Sequence, residues 1–316
     1  MFDGLPESVR VKAHAQGPEG DQWLDDLPAL VEQIEAEWDV DVTSVMHGGS
    51  SGLVADVSTH VGTQAVLKIA IPDGLRGNSP FGNELQALLL GRGLGYALVL
   101  RHDLRRRAVL LEKLGPPLAS LRLAAEVEIA AIAATLGEGW RQVPQPWPLP
   151  SGLQKAGWLA DDIAQSLTTL PHSCHAQTAT TALAFARARA EAFTPSIAVL
   201  IHGDAHPYNV LLDPSDPSGS VFKLIDPEGM VSEPAHDLAI PLRQFNADGL
   251  SGQPLRDRAI ELCTVLSESA QLDPRPIWEW AFVERVTTGL FLARLGNESD
   301  AANIFQVANE LVGAAP

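Results

Sequence analysis

Apolar residues recur at helical spacing through Leu27, Leu30, Val31, Ile34 and Trp38, which predicts an amphipathic helix over residues 24–38. The period then shortens. Residues 42–46, 53–58 and 64–69 read as strands divided by the turns GGSSG at 48–52 and HVGT at 60–63, a pattern that predicts a small antiparallel sheet. A helix over about 83–92, with Leu85, Leu88 and Leu89 on one face, precedes two more strands at 97–102 and 107–113 around the polar turn DLRR. Gly115, Pro116 and Pro117 then break the pattern, since proline neither donates to a sheet nor continues a helix, and a linker is predicted there. Beyond it the spacing turns helical over 120–136, 175–193, 255–272, 276–295 and 300–312, while VPQPWPLPSG at 143–152 reads as a loop. The expectation is an α+β chain in two lobes: a sheet-bearing lobe over 1–114 and a mainly helical lobe over 115–316.

Two segments interrupt the helical part with chemistry. HGDAHPYNVLL at 202–212 and the stretch ending in IDPEG at 225–229 are apolar runs that close in polar turns, so Asp204, Asn209 and Asp226 are expected at loop tips facing one cleft. One carboxylate could take a hydroxyl proton while the amide and the second carboxylate hold Mg²⁺ with nucleotide phosphates. The five-residue step from Asp204 to Asn209 matches the catalytic loop of protein kinases, and Asp226 falls where those enzymes keep a metal-binding Asp. Upstream, Gly48, Gly49, Ser50 and Ser51 precede Lys68 in VLKIA and Glu84 on the next helix. That order is the one a nucleotide site uses: backbone N–H groups over phosphates, a lysine on them, and a carboxylate orienting the lysine. The strand into the Gly-Pro-Pro linker would offer the Glu112 carbonyl and the Leu114 N–H to adenine.

Two further questions stay open at this level. Glu228, Glu233 and Asp237 could bind a basic substrate, and Asp237 could equally bond to the backbone of the catalytic loop; His202 and His206 could brace that loop or, with Asp204, form a metal hydrolase site, although such a site would want further histidines.

The segments at 202–212 and 225–239, with the opening VKAHAQGPEGDQWLDDLPALVEQIEAEWDV at 11–40, resemble the aminoglycoside phosphotransferase family, and within it the streptomycin 6-kinase and hydroxyurea phosphotransferase branch. The resemblance spans nearly the whole chain, and the Asp-Pro-Glu-Gly form at 226–229 is nearer that branch than the Asp-Phe-Gly of protein kinases. It implies a protein-kinase-like fold, ATP and Mg²⁺ as cofactors, Asp204 as base, Asn209 and Asp226 as metal ligands, and Lys68 on the phosphates. A streptomycin-type aminoglycoside is the implied acceptor, with resistance as the outcome. A basic peptide antibiotic, hydroxyurea, and a non-catalytic nucleotide-binding module are the alternatives.

Composition refines the partner. With 22 Lys+Arg against 39 Asp+Glu the formal charge is -17, which repels nucleic acid and suits a small cationic substrate. A guanidinium would pair bidentately with carboxylates, for which Glu233, Asp248, Glu279 and Glu284 are the candidates. No run reaches the roughly 18 apolar residues of a membrane span and no secretory pattern opens the chain, so a cytoplasmic monomer is expected. Cys174 and Cys263 stand far apart and suggest packing rather than a disulfide.

Overall fold

The helix expected at 24–38 runs from Pro18 to Trp38 (α2), and a shorter helix, α1 (Glu7–His14), precedes it. Trp23, Leu27, Val31, Ile34 and Trp38 are all buried, so one stripe of α2 leaves water. That stripe shares a core with a sheet built from β1 (Val40–Val45), β2 (Gly52–Thr59), β3 (Gln64–Ala70), β4 (Val99–Asp103) and β5 (Ala108–Glu112). The strand order is β1-β2-β3-β5-β4 and every neighbouring pair is antiparallel. Because successive residues of a strand face opposite sides, Leu67 and Ile69 join Leu53, Ala55 and Leu110 in the core under α2, while Lys68 between them turns to the other face. There α3 (Pro80–Gly91) presents Glu84 to it. Gly52 closes the approach of β2 to β3: a Cβ on it would lie 2.2 Å from the Ile69 carbonyl oxygen.

The structure is a computed structural model and describes residues 4–47, 49, 51–72, 79–170, 174–247 and 249–316. Its chain forms two compact units, Met1–Gly115 and Pro116–Pro316. The second holds α4 (Ala125–Gly139), α5 (Gly152–Thr169), α6 (Ala176–Ala192), α7 (Pro234–Arg243), α8 (Gly252–Ala270), α9 (Pro274–Arg294) and α10 (Glu298–Leu311). Its middle is α9, which packs against α5, α6, α7, α8 and α10. Nearly every residue of α9 from Ile277 to Leu290 is buried, Glu279, Glu284 and Arg285 among them, so the helix must carry its charges inside the protein. Among the described residues no helix is long and apolar enough to cross a membrane.

Three helices lie outside the expected set. α1 buries only Val9 and Ala13, too few for a readable stripe. α5 starts directly from the proline-rich loop, and its start is set by a capping box in which Ser151 accepts from the Gln154 N–H and the Gln154 side chain returns the bond. α7 has Pro241 inside it and reads locally as a break, yet its first proline, Pro234, sits where the missing N–H is harmless. The segment expected as helical from 120 begins instead with a 3-10 turn, Leu118–Leu121.

Ile34 is fully buried between α2 and the sheet. Ile34→Ala is therefore expected to lower unfolding free energy by about 2–5 kcal/mol, read from a denaturant melt.

Candidate active site

Two short ladders in the second unit hang the polar segments side by side. β6 (Val199–Ile201) pairs antiparallel with β9 (Met230–Ser232), and β7 (Val210–Leu212) with β8 (Phe222–Leu224). Between them the loop at 202–209 and the turn at 225–229 are stitched twice: the Ile225 N–H donates to the Asn209 carbonyl at 3.0 Å, and the Gly229 N–H to the His202 carbonyl at 3.2 Å.

His202 adds a third stitch. The Asp204 N–H donates to Nδ1 at 3.1 Å, so the ring proton sits on Nε2, which donates to the Ile225 carbonyl at 2.7 Å. Both ring nitrogens are thereby used inside the protein, which leaves His202 no lone pair for a metal and rules out the hydrolase arrangement. Asp237, in the first turn of α7, is fully buried and settles its own question in favour of the backbone. Its Oδ1 accepts the Gly203 N–H at 2.7 Å, and its Oδ2 accepts the His202 N–H at 2.9 Å and Trp140 Nε1 at 2.9 Å. Gly203 bends between these bonds at φ 85°, a conformation that favours glycine, and a Cβ there would stand 3.2 Å from that of Glu228.

The frame sets three acceptors. Asp204 is partly exposed; its Oδ1 accepts from Arg243 Nη2 at 2.9 Å, and its Oδ2 has His206 Nε2 at 3.7 Å, beyond hydrogen-bond range. Burial lowers the His206 pKa, against an opposing pull from Asp204. Asn209 is buried, and its Nδ2 donates to the Asp204 carbonyl at 3.0 Å, which orients the amide and leaves Oδ1 as the remaining acceptor. Asp226 is exposed and held at φ 55°, a left-handed conformation that costs about 1–3 kcal/mol for a residue with a side chain and concentrates at functional positions. An amide oxygen and a carboxylate on adjoining loop ends are the hard oxygen donors that Mg²⁺ takes, so the residues present fit that ion.

In the first unit, Lys68 Nζ lies 2.6 Å from Glu84 Oε1, with both side chains almost wholly buried. A lysine held this way on a strand keeps its ammonium in one place, as a phosphate contact requires. Gly49 and Ser51 stand at the turn before β2, Ser51 accepting the Ile71 N–H at 2.9 Å, whereas Gly48 and Ser50 lie outside the described residues. Glu112 ends β5 in register with Ala65, and its side chain accepts the Leu98 N–H at 2.7 Å; Leu114 is buried just beyond.

The acidic residues weighed for a cationic substrate are placed unequally. Glu279, 2% exposed, lies between Arg189 at 2.7 Å and Arg275 at 2.9 Å, and Glu233 takes Trp280 Nε1 at 2.8 Å and Arg189 at 3.3 Å. Glu284 is just as enclosed. His236 donates to it at 3.2 Å, Lys155 lies at 3.6 Å and Arg243 at 3.8 Å, and His236 stacks on Trp280 at 3.8 Å. Burial would raise the Glu284 pKa, but Lys155, His236 and Arg243 outweigh it and hold the carboxyl well below the usual range. These three carboxylates therefore serve internal pairs, and Asp248 lies outside the described residues. Glu228 is different: it is 44% exposed, sits against Gly203, and spends one oxygen on Lys155 at 2.9 Å. Arg243 and Lys155 carry no motif in the sequence. Only their position on helices returning to the loop shows what they touch.

Residues 37–296 match the family described as aminoglycoside/hydroxyurea antibiotic resistance kinase. The chain is 30% identical to streptomycin 6-kinase of Streptomyces glaucescens over 74% of this chain and 73% of that protein. It is 26% identical to streptomycin 6-kinase of Streptomyces griseus over 98% and 96%. Aminoglycoside phosphotransferase APH(4)-Ia superposes with a TM-score of 0.58 at 16% identity, covering 92% of this chain and 99% of that one. A macrolide 2'-phosphotransferase of Brachybacterium faecium gives 0.55 at 16% identity, with 92% and 99% covered. The fold is accordingly the protein-kinase-like α+β fold that the motifs imply.

Asp237→Ala strands the buried N–H groups of His202 and Gly203, each worth about 1–3 kcal/mol when left unpaired, and should visibly lower the denaturation midpoint. The Glu284 carboxyl is depressed on folding, so its stabilisation is complete above the ordinary glutamate value of 4.5 and is lost as pH falls through the lower folded value. Glu284→Gln should flatten the fall of stability on acidification below that point; a curve parallel to the parent's would contradict the assignment.

Proposed function

The chain belongs to the aminoglycoside/hydroxyurea antibiotic resistance kinase family, and from that we propose that it transfers the γ-phosphoryl group of ATP, with Mg²⁺, to a hydroxyl of a streptomycin-type aminoglycoside, which inactivates the drug. Membership makes it a phosphotransferase with a hydroxyl acceptor. The observation that carries the finer reading is the joint placement of Asp204, Asn209 and Asp226 on two loops locked by His202 and Asp237.

Asp204 orients the acceptor hydroxyl and takes its proton as the new O–P bond forms and the bond from the γ-phosphorus to the ADP oxygen breaks. Asn209 Oδ1 and the Asp226 carboxylate would hold Mg²⁺, which would neutralise phosphate charge. Lys68, aimed by Glu84, is assigned to the phosphates, with the Gly48–Ser51 turn over them and Glu112 and Leu114 at the adenine. Most of such catalysis is positioning and charge neutralisation, and a loop braced this heavily supports it. A binding-only module would not need the base, both metal ligands and the paired lysine together.

The -17 charge favours a cationic acceptor over neutral hydroxyurea. Glu233, Glu279 and Glu284 are held by internal partners, so Glu228 is the carboxylate we assign to a guanidinium beside the attacked hydroxyl. The same geometry would accept a basic peptide antibiotic. We place the reaction in the cytoplasm, where ATP is, and take the acting species as a monomer.

The direct test is a screen of streptomycin, other aminoglycosides, basic peptide antibiotics and hydroxyurea with Mg-ATP, read by mass. Streptomycin should gain one phosphoryl group; ATP binding with no acceptor modified would sink the reading. Asp204→Asn should lower turnover by about 100- to 10,000-fold with nucleotide affinity kept. Glu228→Gln should raise KM for streptomycin with kcat and the ATP requirement little changed; a selective rise in the Mg²⁺ requirement would instead make Glu228 a metal ligand.

A further inference from the structure

α7 reaches the catalytic loop at both ends. From its first turn Asp237 binds the loop backbone at His202 and Gly203, and from its last residue Arg243 binds the Asp204 carboxylate. The two stand six positions apart, about 9 Å of helix, so one short element sets both the path of the loop and the aim of its acid.

The far end of α7 is itself anchored. Arg285 of α9 is buried, and its Nη2 donates to the Leu242 carbonyl at 3.0 Å and the Phe245 carbonyl at 2.7 Å, tying α9 to the last turn of α7 and to the residues just past it. Beside Arg243, Glu284 Oε2 lies 3.8 Å from Nη1, while its Oε1 is occupied by His236 and Lys155. The backbone beside Arg243 is thus anchored by Arg285, the Arg243 Nη1 lies against Glu284, and its Nη2 reaches the loop. Of the two Asp204 oxygens, it is Oδ1 that accepts from Arg243. Among the described residues none bonds to Oδ2, the His206 Nε2 standing at 3.7 Å.

We propose that Arg243 is a positioning residue for the phosphoryl transfer: it pins Asp204 by Oδ1 so that Oδ2 is the oxygen presented to the acceptor hydroxyl, and Glu284 keeps Arg243 in that pose. This rests on the reading of Asp204 as base. A carboxylate free to rotate about its χ angles would spend part of its time with neither oxygen on the hydroxyl, and a misplacement of about 1 Å at a reacting group costs about 100-fold in rate. Lysine at the position would keep a cation but lose the planar fork that lets one edge face Asp204 and another face Glu284.

The test compares R243A, R243K and D204N in the full chain with Mg-ATP and the acceptor found by the phosphorylation screen, measuring kcat and both KM values along with the denaturation midpoint. R243A should lose about 100-fold in kcat, with KM for ATP and acceptor little changed and the midpoint near the parent's. R243K should recover part of the loss, and guanidinium chloride well below denaturing concentration should restore part of the R243A rate. Parent-like kcat in R243A overturns the proposal, as does a loss matched by a lower midpoint and not relieved by guanidinium. D204N separates the two levels: if it keeps its turnover, the base assignment falls and takes this one with it; if it is inactive while R243A is fully active, only the role of Arg243 is wrong.

Discussion

The buried carboxylate of Asp237 is the constraint on which the path of the loop at 202–209 depends. A loop that must expose Asp204 cannot satisfy its own backbone through regular structure, and the N–H groups of His202 and Gly203 would be stranded inside the protein. Asp237 takes both, along with the Trp140 indole. His202 can then turn its ring across to Ile225 and tie the loop to the segment that carries Asp226. Without the Asp237 bonds, the left-handed turn at Gly203 and the spacing of the three acceptors would have no fixed reference.

Charge on α9 extends the same logic inward. A helix packed on every side that nevertheless carries Glu279, Glu284 and Arg285 must pair each of them or lose stability, because an isolated buried charge is expensive. Glu279 meets Arg189 and Arg275, Glu284 meets Lys155, His236 and Arg243, and Arg285 takes carbonyls at the end of α7. Buried pairs add little net stability, but removing one partner is costly, so the set fixes where α5, α6 and α7 sit on α9. Acidity on this helix is therefore architecture, whereas the side chain of Glu228, beside the loop, is exposed.

Much of this was legible in the residues, for particular reasons. The stripe of α2 and the alternation of β2 and β3 are driven by burial against a single core, so the period reports the element directly. That Asp204, Asn209 and Asp226 fall on adjoining loops, and that Lys68 meets Glu84, was readable because spacing within a loop, or order along a chain, survives without knowledge of packing; their roles are what we propose. What stayed hidden depends on long-range partners. Glu233, Glu279 and Glu284 looked available because nothing in a sequence tells an acidic residue facing water from one facing Arg189 or Lys155 across the fold. α7 was obscured by Pro241, and with it went the cue that Arg243 returns to Asp204.

The central claim is that the Asp204 carboxylate, aimed by this frame, receives the proton of the hydroxyl that is phosphorylated. A crystal structure with a non-hydrolysable ATP analogue, Mg²⁺ and streptomycin tests it most directly. The account predicts Asp204 Oδ2 about 2.6–3.2 Å from one streptomycin hydroxyl, with the oxygen of that hydroxyl in line with the γ-phosphorus and with Asn209 and Asp226 on the metal. A hydroxyl positioned for attack by another residue, with Asp204 turned away from it, would contradict the account.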